Sequence, residues 1–108
     1  VNVQVDIQEL ADIEQVIKKM SKLCPSYVQV MSKSDIEKLA LCLLKSAKEI
    51  SGRDMLDGID TTSYKQRKRK YLDKLLEMKL LKMTKPDKPT ARNQRYICTD
   101  LGWQIIKK

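Results

Sequence analysis

The chain has 108 residues, which suits one compact domain with enough apolar residues for a core without a structural metal or disulfides. It contains no His, so imidazole general bases, Ser-His-Asp triads and His-containing zinc sites are excluded. The chain carries 22 Lys and Arg residues against 14 Asp and Glu residues, a formal net charge of +8.

The first third of the chain changes its hydrophobic period. Residues 1–8 alternate apolar and polar side chains, and this period of two predicts a strand. Residues 9–22 place apolar side chains at helical spacing, which predicts a helix that ends just before Pro25, because Pro cannot continue a helix. Residues 27–31 are then predicted to form a short strand or an extended connection.

Three capping boxes, each a Ser followed three positions later by an acidic or amide residue, mark the next three helices. The first of these helices has a wide apolar stripe that suits a central position. The second is very short, and Gly58 is placed to end it in a left-handed conformation. The third is long and should extend to about Lys79. The three boxes are Ser34 with Glu37, Ser51 with Asp54, and Ser63 with Gln66.

Two short strands are predicted after the long helix, at residues 80–84 and 95–98, with a basic, proline-containing loop between them. A last short helix, capped by Thr99, would pack back on the core. This order of elements is typical of a winged helix-turn-helix, in which the hairpin is the wing. We predict this α+β, mainly helical fold with a C-terminal two-stranded wing for residues 32–108. Residues 1–31 would be an added N-terminal linker strand and helix.

The positive charge is concentrated in one segment. Residues 61–95 contain twelve Lys and Arg residues against three acids, a net charge of +9, whereas the rest of the chain has a net charge of −1. Neighbouring like charges repel, so such a segment favours a polyanionic partner. We expect double-stranded DNA. A membrane is disfavoured, because the apolar side chains opposite the cations are needed for the core.

The long helix, predicted over about 62–79, would enter the major groove, and the basic wing at 84–95 would follow the DNA backbone. On a regular helical wheel, the core face is predicted to carry Tyr64, Lys68, Tyr71, Leu72, Leu75 and Leu76. Most cations lie opposite, with Lys65 and Arg69 on the borders. Arg suits guanine and Gln suits adenine, so part of this face is predicted to read bases and the rest to hold phosphates. The base-reading residues are Gln66, Arg67 and Lys70; the other predicted contacts are Ser63, Lys65, Arg69 and Lys74 on the helix, and Lys85, Lys88 and Arg92 on the wing.

No enzymatic, metal or cofactor chemistry is predicted. Cys24, Cys42 and Cys98 have no metal-ligand spacing, and we expect reduced thiols. No small-molecule ligand is predicted. The longest apolar run, residues 39–44, is too short to span a bilayer, and no secretion signal opens the chain, so a cytoplasmic location is expected.

The segment from Met83 to Tyr96, with Thr99 and Gly102 after it, contains the string Met-Thr-x-Pro-Asp-Lys-Pro…Arg-x-Gln-x-Tyr…Thr…Gly. It resembles the C-terminal winged-helix domain of bacterial RecG-related ATP-dependent DNA helicases and transcriptional regulators, which carry a Schlafen-type, divergent-AAA domain upstream. Very similar C-terminal domains also follow Fic domains. The resemblance covers about residues 33–107.

This resemblance implies a DNA-binding fragment of a larger bacterial regulatory or helicase-like protein. Any ATPase or nucleotidyl-transfer activity would lie upstream of it. Residues 60–69 depart from the family pattern, so the resemblance assigns no contact residues there.

A second function remains open, in which the winged helix serves protein association. A homodimer would then form through residues 1–31, on the predicted strand and the amphipathic helix after it. The two functions are compatible, because helix-turn-helix proteins commonly dimerise on two half-sites.

Overall fold

The computed structural model describes residues 11–59, 61–88 and 93–107. In chain order the elements are α1 (Ile13–Leu23), α2 (Pro25–Val28), α3 (Lys33–Lys45), β1 (Ile50–Ser51), α4 (Gly52–Leu56), α5 (Tyr64–Arg67), a π-helical turn (Lys68–Leu72), α6 (Asp73–Glu77), β2 (Leu81–Met83), β3 (Arg95–Cys98) and α7 (Asp100–Ile106). Because α5, the π-helical turn and α6 follow one another without a break, we call them together helix 64–77. The strand predicted over residues 1–8 lies outside the described residues.

The strands form one antiparallel sheet in the order β1-β3-β2. Strand β3 pairs on one side with β2, where Met83 faces Tyr96, and on the other with β1, where Ser51 faces Arg95. With α3, α4 and helix 64–77, this sheet confirms the predicted α+β, mainly helical winged-helix fold. The predicted sheet was incomplete, because β1 is two residues long and too short to show a period of two.

The helix caps predicted at Ser51 and Ser63 are confirmed. The Ser51 hydroxyl accepts a hydrogen bond from the Asp54 amide at 3.2 Å, and the Ser63 hydroxyl accepts one from the Gln66 amide at 3.3 Å. After α4, Gly58 has φ +72°, as the prediction of a left-handed turn requires.

The first capping box is wrong by two residues. Helix α3 begins after Ser32, whose hydroxyl accepts from the Asp35 amide at 3.2 Å. The sequence offers Ser followed three residues later by an acid at both Ser32 and Ser34. Capping at the earlier Ser adds Lys33 and Ser34 to the helix and the bond from the Ile36 amide to the Ser32 carbonyl, at 3.0 Å.

The extended connection predicted for residues 27–31 is also wrong in part. Helix α1 ends at Leu23 as expected, but Pro25 opens the short helix α2. The first position of a helix needs no amide donor, so the residue that ends one helix can begin the next. The Gln29 amide closes this turn by donating to the Pro25 carbonyl at 3.0 Å.

Helix α1 is integrated into the core of the winged helix. Val16 and Met20 are fully buried in the same cluster as Leu39 of α3 and Ile105 of α7. The Lys19 ammonium group donates to the Lys107 carbonyl at 2.7 Å and so covers the end of α7. The described part of residues 1–31 therefore packs on residues 32–107, and the division at residue 31 stays a prediction.

Helix 64–77 ends two residues before the predicted position near Lys79. Lys79 has φ 63°, and its amide donates to the Leu76 carbonyl while the Leu80 amide donates to the Leu75 carbonyl, both at 3.1 Å. This pair of bonds is a Schellman motif, with Lys79 in the left-handed position that Gly usually occupies.

Thr99 and Gly102, the last two residues of the string that carries the family resemblance, connect this helix end to α7. The Thr99 hydroxyl donates to the Lys79 carbonyl at 2.7 Å and accepts from the Gly102 amide at 3.2 Å. A Cβ at Gly102 would meet the Leu80 carbonyl oxygen and would lie 3.1 Å from the Cys98 Cβ. Gly102 therefore lets α7 lie directly on the segment that leads into β2.

Replacing Gly102 with Ala should destabilise the domain by about 1–3 kcal/mol, because the added methyl group meets backbone that cannot move without disturbing the Schellman motif. Urea unfolding measures the change. The control is Gln104→Ala, an exposed position of the same helix, where a change within about 0.5 kcal/mol is expected. Equal stability of Gly102→Ala and the wild type would contradict this close packing.

Candidate nucleic-acid interface

Helix 64–77 is held by its apolar side, and this fixes which side chains face water. Tyr71, Leu72 and Leu75 are fully buried, as the helical wheel predicted. In the first half of the helix Lys65, Gln66 and Arg69 are exposed, and Ser63 stands exposed at its start as the cap. Lys65, Gln66 and Arg69 are three of the six DNA contacts predicted within the helix, and the other three are Arg67, Lys70 and Lys74.

The cations of helix 64–77 divide into two groups by their ionic partners. Lys68 lies 3.6 Å from Asp73 and Lys74 lies 3.7 Å from Glu77. No carboxylate of the described residues lies within ion-pairing distance of Lys65 or Arg69. Lys65 and Arg69, both in the first half of the helix, therefore present positive charge that the described residues do not neutralise.

Lys70 lies 3.1 Å from Asp35 of α3 rather than pointing straight into solvent. Desolvation raises the pKa of the Asp35 carboxyl, but hydrogen bonds from Lys70 and Ser32 and the charges of Lys70 and Lys38 lower it by more, so the net pKa lies below its usual value. The Tyr71 hydroxyl also donates to Asp35, at 3.4 Å. The side chain predicted to read a base is thus held at the start of α3.

Lys74 and Arg67 are both half-buried. The Lys74 ammonium group lies 5.6 Å from the centre of the Tyr27 ring, a cation–π contact with α2. The π-helical turn accounts for part of these departures. It takes more residues than an α-helical turn, so the side chains after it lie at angles that a regular wheel does not give.

The wing is held by one buried side chain, Gln94, which is 6% exposed. Its Oε1 accepts from the Lys85 amide at 2.9 Å, and its Nε2 donates to the carbonyls of Lys85 at 2.6 Å and of Lys88 at 2.9 Å. The Lys88 amide donates to the Lys85 carbonyl at 3.0 Å and closes a turn. The side chains of Lys85 and Lys88 are exposed beside this turn, and Arg92 lies outside the described residues.

Helix 64–77 and the sheet that carries the wing meet at Gly52. A Cβ built there would lie 2.7 Å from the Tyr64 hydroxyl oxygen and 3.4 Å from Cε2 of Tyr96. Tyr64 is the first residue of helix 64–77 and Tyr96 belongs to β3. The absence of a side chain at Gly52 therefore lets the Tyr64 side chain, at the start of the helix, reach the Tyr96 ring of β3.

Three side chains that shape this surface were not identified from sequence: Asp35, Arg53 and Gln94. Gln94 was part of the recognised string, so a signal existed, although its role as a clamp did not follow from it. Asp35 and Lys70 are 35 positions apart in the chain and no local pattern joins them. Arg53 lies over the Tyr64 ring, eleven positions later, and again no local pattern joins the two.

The three cysteines are buried or half-buried. Burial raises the pKa of the Cys42 thiol to about 12, although the charge of Lys45 acts in the opposite direction, so this thiol stays neutral in the core. Within residues 11–59, 61–88 and 93–107 no group of three or more Cys, Asp or Glu side chains could hold a metal ion. In the same part of the chain, each helix is too short or too polar to traverse a bilayer.

The order of elements, the sheet and the two cationic elements define the class of this protein, a winged-helix domain with a basic face. Residues 34–99 match the family described as "Filamentation induced by cAMP protein Fic-like, C-terminal domain". This match covers well over half of the chain, which therefore belongs to the Fic-like C-terminal domain family. Neither a curated protein nor a solved structure matches the chain.

The match supports one part of the resemblance stated from sequence, the likeness to domains that follow Fic domains. It gives no support for the RecG-related and Schlafen-type part, which stays a prediction. The matched residues run from the second residue of α3 to the cap of α7 and so include α4, helix 64–77 and the wing.

Replacing Gln94 with Ala should loosen the wing and destabilise the domain by about 2 kcal/mol, because backbone groups of Lys85 and Lys88 lose their partner. Amide hydrogen exchange should show loss of protection at Lys85, whose amide donates to Gln94. The control is Asn93→Ala at the exposed neighbouring position. Unchanged protection of the Lys85 amide in the Gln94→Ala chain would show that the wing is held by other contacts.

Proposed function

We propose that this domain binds double-stranded DNA and has no enzymatic activity of its own. The first half of helix 64–77 would enter the major groove, and the wing would lie along the phosphate backbone. The domain would serve a larger bacterial regulatory or DNA-processing protein in the cytoplasm. Any catalytic activity would belong to other parts of that protein.

The observation that supports this proposal is the exposure of cations on helix 64–77 and on the wing. Lys65 and Arg69 on helix 64–77, and Lys85 and Lys88 on the wing, are exposed, and no carboxylate of the described residues lies within ion-pairing distance of them. A solvated protein face normally intersperses acids among such cations. Positive charge placed in this way attracts a polyanion and releases its counterions.

The exposed side chains also suggest how affinity and sequence reading would divide. Lys65, Arg69, Lys85 and Lys88 would hold phosphates, which position the domain without reading sequence. Gln66 is exposed on the groove-facing half of the helix and suits adenine. Lys70 would first have to leave Asp35, and releasing a partly exposed ion pair of this kind costs about 0.5–1 kcal/mol.

Titration of random duplex DNA at several salt concentrations tests the proposal. Together with Lys74 and Arg92, which were predicted from sequence, the four exposed cations on the helix and the wing give about six phosphate contacts. This number of contacts predicts a slope of about −5 in a plot of log binding constant against log salt, with a micromolar Kd at low salt. The double variant Lys65→Ala/Arg69→Ala should flatten this slope by about 2, because two phosphate contacts are removed. Fluorescence anisotropy of labelled DNA measures both.

The matched control is Lys18→Ala/Lys48→Ala, which removes the same charge from exposed positions elsewhere. Lys48 is two residues after Ser46. The Ser46 carbonyl accepts a hydrogen bond from the amide of Cys98, the last residue of β3, at the end of the strand away from the wing. The control should keep the wild-type slope. Equal slopes for the two double variants would overturn the assignment to helix 64–77, and absence of binding at low salt would overturn DNA as the partner.

Protein association is the second candidate function, and two exposed apolar side chains favour it. Leu23, the last residue of α1, is 47% exposed, and Val30, just after α2, is 83% exposed. Because Val16 and Met20 of α1 belong to the core, deleting residues 1–31 would disturb the fold. Light scattering of the wild type and of Leu23→Ser/Val30→Ser is the cleaner test: a dimer that the double variant dissolves supports association, and a wild-type monomer removes it.

A further inference from the structure

A cationic side chain outside the basic segment lies at the junction between helix 64–77 and the sheet. Arg53 is the second residue of α4, and its guanidinium carbon lies 4.9 Å from the centre of the Tyr64 ring. This is a cation–π contact with the first residue of helix 64–77. The contact with Tyr64 restricts the Arg53 side chain, and the side chain is nevertheless exposed to solvent.

The Tyr64 side chain packs against α4 and β3 through its hydroxyl end. The Tyr64 hydroxyl lies close to Gly52 and to Tyr96, in the gap that the missing side chain of Gly52 leaves. Burial raises the pKa of the Tyr96 hydroxyl, with smaller contributions from Tyr64 and Asp73, as expected for an aromatic pair inside this junction. Arg53 therefore stacks on a ring whose position the packing has already fixed.

A second Arg, Arg95 of β3, pairs in register close to this junction, but its side chain leaves the opposite face of the strand from buried Tyr96. Strand β1 pairs with β3 so that Ser51 faces Arg95, and Arg53 is two positions beyond Ser51. Arg95 is exposed at the first position of β3, where the wing begins. Asp54 is the neighbouring acid in sequence, but no ion pair joins it to either Arg in the part of the chain that the structure describes.

We propose that Arg53, held on Tyr64, is a phosphate-binding subsite for the DNA backbone. The subsite rests on the proposed function, because it needs DNA with helix 64–77 in the groove. A DNA strand that runs along the start of this helix would pass Arg53, which is stacked on the first residue of the helix. Arg53 is the exposed cation that α4 places there.

The chemistry of the Arg53 side chain fits this ligand. A guanidinium group is planar, remains charged and offers paired donors that match two oxygens of one phosphate. Stacking on an aromatic ring restricts the side chain before binding, so less conformational entropy is lost when the phosphate arrives. Such a contact positions the domain on DNA and is independent of base sequence.

The test is the same salt titration, carried out on Arg53→Ala with random duplex DNA. Loss of one phosphate contact should flatten the log–log slope by about 1 and weaken binding about 5- to 10-fold at 0.1 M salt. Arg53→Lys, which keeps the charge, should keep the slope. The control is Lys48→Ala, which removes one charge from an exposed position outside the junction and should change neither quantity.

The outcomes separate this inference from the proposed function. If the wild type binds with a steep slope and Arg53→Ala behaves like Lys48→Ala, the subsite is wrong and DNA binding stands. If the wild type does not bind, DNA binding is wrong and the subsite with it. Urea unfolding checks that each variant is folded. If Arg53→Ala is not, Arg53→Gln replaces it in the same measurement, with the same loss of slope expected.

Discussion

The burial of Tyr71, Leu72 and Leu75 is the constraint on which the rest of the surface depends. Each of these side chains contributes about 1.5–3 kcal/mol by leaving water, so helix 64–77 cannot rotate about its axis without a large loss of stability. The C-terminal end of the same helix is fixed by the Schellman motif at Lys79 and by the hydrogen bond from the Thr99 hydroxyl to the Lys79 carbonyl. The apolar side therefore decides which cations face solvent.

Electrostatic repulsion among the cations is relieved unevenly within this rigid frame. Asp35, Asp73 and Glu77 neutralise Lys70, Lys68 and Lys74. Lys65, Arg69 and the described lysines of the wing keep their charge exposed, and the packing at Gly52 joins the first residue of the helix to Tyr96 of β3. A surface of this kind loses stability through self-repulsion when alone and gains free energy when a polyanion neutralises it.

Those parts of the structure that depend on neighbours in sequence were predicted well. Ser51 and Ser63 cap helices as expected, because a cap needs only the next three or four residues. The order of elements, and hence the fold class, followed from hydrophobic periods and from these caps. The start of α3 was misplaced because Ser32 and Ser34 both satisfy the local pattern, and nothing local decides between them.

Those parts that depend on contacts between distant residues were not predictable. The pairing of β1 with β3, the clamp from Gln94 to the wing and the ion pair between Asp35 and Lys70 join positions that no periodicity links. The π-helical turn in helix 64–77 is also invisible to a wheel of fixed angle. The face of the helix could be predicted, but the setting of each cation could not.

The most direct measurement of the central claim is an NMR titration of the labelled domain with unlabelled duplex DNA, following each backbone amide. A DNA surface made by the first half of helix 64–77 and the wing predicts the largest shifts at residues 64–69 and 82–88, with small shifts in α1 and α2. Shifts concentrated in α1 and α2, or unchanged spectra at high DNA concentration, would contradict the claim that these two elements together form a DNA-binding face.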